Sequence, residues 1–281
     1  MEPSVKIVLD RVRDGVADLP GIAGIALGGS HARGTADANS DIDVGLYYHR
    51  NERPDMQLLR EVFTALDDAG APAGVGGYGD WGPWINGGAW LQVAGRKTDI
   101  LLRELERVDD VVRECVAGRP QICYQVGHPH GFCTVIYAGE VSYNQLVHDP
   151  QHRLEELRAL TRPYPQPLRR AILDQFGWEA GFALGTATSA AKRGDAAYVI
   201  GCVFRSIACL NQVVFALNGE YLTNEKGALA IAGGMPLVPT DYVARVNQAI
   251  ALTSAAPEAS IGALDLLHDL HAETMSLGGG S

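Results

Sequence analysis

Residues 24–48 read GIALGGSHARGTADANSDIDVGLYY, and this stretch decides the fold. An apolar run, Ile22 to Leu27, stops at Gly28, Gly29 and Ser30. Ser30 to Gly34 then begins a short helix or turn. A second apolar run, Ile42 to Tyr48, carries Asp41 and Asp43 at its head. Side chains on a strand alternate faces with period two. Asp41 and Asp43 therefore point one way and Ile42 points into a core. Two carboxylates beside a Gly-Gly-Ser turn suit a Mg²⁺ ion close to a phosphate chain. The stretch is a candidate site for phosphoryl or nucleotidyl transfer.

That chemistry needs a metal platform, donors for phosphate oxygens and a proton acceptor. A pair of metal ions calls for a further carboxylate. Asp99 is the candidate, because it sits in the apolar strand RKTDILL, where an acid is costly unless paired or metal-bound. Gly28 and Gly29 let the backbone approach a phosphate, and their N–H groups can form an anion nest. Ser30 adds a hydroxyl donor at the start of a helical turn. Arg33 reaches the same phosphates or pairs with an acid. An isolated Asp-x-Asp or Gly-Gly-Ser says little. The two together, between apolar strands and with a strand acid downstream, say far more.

Outward from this stretch, Val5, Ile7, Val8, Val12 and Val16 predict a helix over 4–18. A second helix is expected over 55–69. The segment APAGVGGYGDWGPWINGGAW, 71–90, is too rich in glycine for a helix and too aromatic for a linker. It reads as an ordered loop over a site. Its residues Trp81, Trp84 and Trp90 either pack or stack a base and wall an acceptor pocket. Residues 91–94 and 98–102 read as a hairpin, 104–117 as a helix and 134–137 as a strand. Past Asp149-Pro150 the texture changes, and 151–160, 166–193, 195–218 and 240–253 all show helical periodicity. The expected division is a first domain at 1–150, an all-helical domain at 151–276 and a flexible tail at 277–281.

Composition narrows the function classes. Hydrophobic content of 47% and charged content of 20% fit a folded globular chain rather than a disordered one. No apolar run is expected to approach the roughly 20 residues of a membrane span. The charged N-terminus does not read as a signal peptide, so a cytoplasmic location is expected. A net charge of −10 without a Lys/Arg-rich run argues against nucleic acid and for small or cationic partners. The five cysteines form no Cys-x-x-Cys pair and read as reduced core thiols, with neither disulfide nor zinc assigned. His128 and His130 lie two apart in QVGHPHGF. With no further ligands legible, they read as turn histidines or an inter-domain contact.

The pattern of Gly29-Ser30, then Asp41-x-Asp43, then Asp99 resembles the DNA polymerase β-like nucleotidyltransferase superfamily. Within it the chain looks most like aminoglycoside adenylyltransferases of the streptomycin/spectinomycin type. The resemblance implies an α+β fold: a catalytic domain with a mixed sheet flanked by helices, followed by an all-α bundle. It implies a nucleotidyltransferase of the EC 2.7.7 type that moves a nucleoside monophosphate, AMP from ATP, onto a hydroxyl. The acceptor would be a small molecule such as an aminoglycoside-like antibiotic or a metabolite, and pyrophosphate would leave. Asp41, Asp43 and Asp99 would hold two Mg²⁺ ions, and Gly29 and Ser30 the triphosphate. Tyr78-Gly79-Asp80-Trp81 stands where the adenylyltransferases have Phe-Gly-Glu-Trp, which makes Asp80, one methylene shorter than glutamate, the expected base; the alternative is that Asp80 caps a turn. Glu140 is the alternative base, since kanamycin-type relatives place theirs later in the chain. Arg205, in FRSIACLNQ, and Lys226 match the Arg and Lys that the bundle gives to the nucleotide phosphates. The alternative for each is a structural ion pair with Glu220, Glu225 or Asp195. The acceptor is expected between the domains, and the chain is expected to be a monomer. Two rivals share these residues: a toxin-like nucleotidyltransferase acting on tRNA or a protein, and a nucleotide-binding regulator without catalysis.

Overall fold

The computed structural model describes residues 1–37 and 39–278. The chain divides into two compact units. The first comprises Met1–Glu114, Ile122–Gly127 and Tyr137–Arg162, and the second Cys115–Gln121, His128–Ile136 and Pro163–Ser281.

The first unit is built on a mixed sheet. Its strands are β1 (Ile22–Leu27), β2 (Ile42–Tyr48), β3 (Gly74–Gly76), β4 (Gly88–Val93) and β5 (Arg96–Glu104). Two-residue strands β6 (Ile122–Cys123) and β7 (Phe132–Cys133) come next in the chain, the latter in the second unit, and β8 (Gln145–His148) completes the sheet. The sheet order is β3-β4-β5-β2-β1-β8, and only β2 and β5 run parallel.

Helix α1 (Pro3–Val16) starts with proline at its first turn, where the missing N–H has no intrahelical partner to lose. It buries Val5, Val8, Leu9, Val12 and Val16 against the sheet. Each such burial is worth about 1.5–3 kcal/mol relative to exposure. Helix α2 (Gly29–Arg33) follows β1. Helix α3 (Met56–Leu66) is capped by Asp55, which accepts from the N–H groups of Gln57 and Leu58. It adds Leu59 and Phe63 to the core beneath Ile42, Val44 and Leu46.

The β4–β5 turn is Ala94-Gly95, both left-handed, the two-residue geometry that matches the strand twist. Asp68 accepts from both of their N–H groups, at 3.0 and 2.7 Å. Helix α4 is Leu105–Val116. α5 is Val135–Tyr143, where the sequence led us to expect a strand over 134–137. Val135, Ile136, Tyr137, Ala138 and Val141 are all buried. A helix that is apolar nearly all round shows no amphipathic period, and its β-branched and aromatic residues imitate a strand. α6 (Arg153–Thr161) belongs to the first unit.

The second unit is all helical apart from β7: α7 (Gln166–Lys192), α8 (Ala196–Leu217), α9 (Ala228–Gly233), α10 (Tyr242–Leu252) and α11 (Pro257–Gly278). α7 packs on α8 and α11, and α10 packs on α11. α11 includes Leu277 and Gly278, which the expected tail had contained, while 279–281 lie outside the described residues. α8 also corrects the hydropathy reading. It is 22 residues long and contains an 18-residue window with a mean hydropathy of 1.7, enough to cross a bilayer by length and composition. Yet 72% of that window is buried within the structure, as in the central helix of a bundle.

Candidate active site

Gly28 leaves β1 directly beside Asp43, its N–H donating to the Asp43 carbonyl at 2.8 Å. Gly29 takes a φ of +57°, and a Cβ there would stand 1.8 Å from Asp43 Oδ2. The second glycine is therefore demanded twice, by a left-handed backbone and by a carboxylate pressed against it.

Asp43 and Asp99 are register partners across the parallel pair β2–β5. Adjacent strands lie about 4.8 Å apart, so the two acids stand side by side. Alternation sends Ile42, Val44, Ile100 and Leu102 into the core and leaves both acids on the opposite face. Asp41 is exposed at the head of β2. Among the described residues, none of the three carboxylates has a hydrogen-bond or ion-pair partner. Burial, and then the charges of Asp99, Glu140 and Asp41, push the Asp43 carboxyl up to about 7. Burial and Asp41 raise Asp99 as well, opposed by Lys97. Uncompensated charge on hard oxygen donors is what Mg²⁺ requires of a protein site, so the residues fit the ion.

Ser30 lies in α2, where its carbonyl accepts from Gly34 and Thr35. Arg33 sits over the Tyr143 ring, 4.4 Å from its centroid. Asp80 is exposed, and its Oδ2 accepts from the Gly77 N–H at 2.7 Å, closing the turn Gly77–Asp80. Glu140 on α5 is among the charges that raise the Asp43 carboxyl. Both Glu140 oxygens bind Arg103, at 2.8 and 3.0 Å. Sequence reading had missed Arg103. It shares the strand face of Asp99, four residues along, and is only 2% exposed. That period-two placement was the available signal.

The tryptophans pack among themselves: Trp81 stacks on Trp90 with centroids 4.8 Å apart, and Trp84 lies edge-on to Tyr137. In the second unit, Arg205 on α8 pairs with Glu179 on α7 rather than with Glu220, Glu225 or Asp195. Lys226 is exposed just before α9, its N–H bonded to Asn224 Oδ1.

Residues 9–113 match the family model described as "Nucleotidyltransferase domain". No curated protein matches the chain. Among solved structures, the chain is similar to a nucleotidyltransferase-like protein from Exiguobacterium sibiricum 255-15. The two share 12% identity over 98% of this chain and 77% of that one, with a TM-score of 0.47. The matched segment contains Gly28, Gly29 and all three acids, so the match to a nucleotidyltransferase domain falls on the residues of the candidate site.

Proposed function

We propose that the protein transfers a nucleoside monophosphate, AMP from ATP, onto a hydroxyl of a small molecule and releases pyrophosphate. The observation that carries this reading is the Asp43–Asp99 pair, unpartnered and in register, against the Gly28–Gly29 turn. Asp41, Asp43 and Asp99 would hold Mg²⁺, which when bound neutralises the triphosphate and positions the attacking oxygen. The Gly28–Gly29 backbone and Ser30 bind and orient the phosphates; Lys226 is the further donor that the family resemblance suggests, while Arg205, suggested for the same role, is held by Glu179. An aminoglycoside-like acceptor, cationic and rich in hydroxyls, suits the acidic chain, and a cytoplasmic monomer suits the same reading.

Asp80 is the base that the family resemblance suggests. One observation favours a second reading: Arg103, on the strand face of Asp99, holds both Glu140 oxygens, whereas Asp80 is tied to the Gly77 N–H. In that reading Glu140 takes the hydroxyl proton, and Arg103 orients its carboxylate.

The test is incubation with each NTP, Mg²⁺ and a panel of hydroxylated acceptors, followed by pyrophosphate release and product mass. Asp41→Asn and Asp99→Asn should abolish release while leaving the fold intact. Release unaffected by either change would overturn the metal assignment. Asp80→Asn and Glu140→Gln, compared in the same assay, separate the two bases: only loss of the true base removes the basic limb of the pH–rate profile.

A further inference from the structure

The second unit holds a cluster that nucleotidyl transfer does not use. His130, on the segment before β7, meets Glu179 of α7 and Cys209 of α8. His130 Nε2 lies 3.6 Å from Cys209 Sγ and 3.8 Å from Glu179 Oε1, and the three donor atoms lie within 4.8 Å of one another. Cys209 is fully buried and the His130 side chain is 4% exposed.

We propose that His130, Glu179 and Cys209 form a zinc site. A set of one nitrogen, one oxygen and one sulfur suits a borderline cation and not the hard Mg²⁺ of the first unit. Geometry agrees. Bond lengths of about 2.3 Å to sulfur and about 2.05 Å to nitrogen or oxygen, arranged tetrahedrally, separate the donors by about 3.4–3.6 Å. The two separations measured from His130 Nε2 exceed these values by only a few tenths of an ångström, and the Glu179 and Cys209 donors lie within 4.8 Å of each other.

A second feature of the same corner is an unsatisfied carboxylate oxygen. Glu225 Oε2 accepts from the His130 backbone N–H at 3.2 Å. Its other oxygen, Oε1, is buried without any hydrogen-bond partner among the described residues. A buried carboxylate oxygen left without a donor is costly, and a nearby divalent charge offsets that cost. Arg205, bonded to Glu179, fixes the orientation of that carboxylate from outside the cluster, as partners behind metal ligands commonly do.

The ion also has a way in. Glu179 and Arg205 line a cavity of about 560 Å³ between α7 and α8, with Trp178, Phe182, Tyr198 and Cys202. Water from this cavity supplies the fourth ligand. On binding, the Cys209 thiol releases its proton to solvent and coordinates as thiolate. His130 coordinates through Nε2 with its ring proton on Nδ1, and no electron transfer is involved.

The experiment titrates Co²⁺, then Zn²⁺, into the metal-free full-length chain. One equivalent of Co²⁺ should produce a thiolate charge-transfer band in the near ultraviolet and tetrahedral d–d bands in the visible. One equivalent of Zn²⁺ should erase both, and excess Mg²⁺ should not. Cys209→Ser should remove the thiolate band, and His130→Gln should weaken Co²⁺ binding at least ~10-fold. Asp43→Asn should keep the full spectrum, which separates this site from the acids of the first unit. A wild-type chain that develops no thiolate band overturns the proposal whatever the variants do, and so does a band that survives Cys209→Ser.

Discussion

Replacing Gly29 with alanine tests the contact on which the active-site reading rests. The new Cβ would lie 1.8 Å from Asp43 Oδ2, where real contacts of that kind begin at 3.0 Å. Either the carboxylate or the turn must therefore retreat by about 1.2 Å. A misplacement of about 1 Å in a reacting constellation costs about 100-fold in rate, or about 2.7 kcal/mol of transition-state stabilisation. The left-handed φ adds about 1–2 kcal/mol of strain to the folded state. Gly95 supplies the control, because its φ is +74° and a Cβ there meets nothing within 4 Å. Gly95→Ala carries the strain without the collision. Urea unfolding should show a similar loss for both variants, about 1–2 kcal/mol. Pyrophosphate release should fall about 100-fold in kcat/KM for Gly29→Ala alone. A Gly29→Ala enzyme within twofold of wild type would refute the claim that Asp43 must sit against this turn to act.

Asp43→Asn should stabilise the metal-free chain while abolishing turnover. The folded carboxyl is raised to about 7 from an ordinary value of 3.8, so its contribution is complete below 3.8 and is lost as pH rises through 7. The asparagine variant escapes that loss, by at most about 4 kcal/mol at pH 8, and urea melts in a chelating buffer should show the advantage growing from pH 4 to pH 8. An advantage that does not change with pH would sink the argument. The opposite sign holds at Asp67, whose carboxyl the Gln92, Ala71 and Ala69 N–H groups hold below the usual range. Asp67→Ala should lower the urea midpoint at neutral pH, and the deficit should vanish as pH falls below the ordinary carboxyl value. Arg103→Met strands Glu140 beside Asp43 and should cost about 3 kcal/mol in a urea melt, with a change under about 0.5 kcal/mol counting against the pair.

Local chemistry made much of the fold legible. β1, β2 and α1 are short-range patterns, apolar alternation or helical spacing bounded by glycine and proline, and the structure keeps them. The bundle helices α7, α8 and α10 were read within a residue or two for the same reason. α5 was not legible, because burial on every side erased the periodicity that marks a helix. At the site, Asp43 and Asp99 could be read as metal-type acids from their apolar strands. Their alignment needed the β2–β5 register, a pairing across more than 50 residues that no local pattern encodes. His130 shows the limit most clearly. Its neighbours Glu179 and Cys209 lie 49 and 79 residues away, so a search for ligands near it in sequence finds none.

What distinguishes the two proposed metal sites is how this chain treats its other sheltered acids. Glu104 meets Arg50 and Arg53, Asp109 meets Arg113 and Arg153, and Glu140 meets Arg103. Asp67, which has no cation, takes backbone N–H groups instead. Asp43 and Asp99 break that habit. Two charges about 5 Å apart repel by about 3 kcal/mol at an effective dielectric of about 20, and a single arginine on the same sheet face would have relieved it. Arg103 stands on that face four residues away and is spent on Glu140. A fold that supplies a guanidinium to the neighbouring acid and withholds one from this pair leaves room for a divalent cation. The unpartnered oxygen of Glu225 extends the argument to the second unit: there too the chain leaves a buried carboxylate oxygen without a donor, beside ligands that suit a different ion.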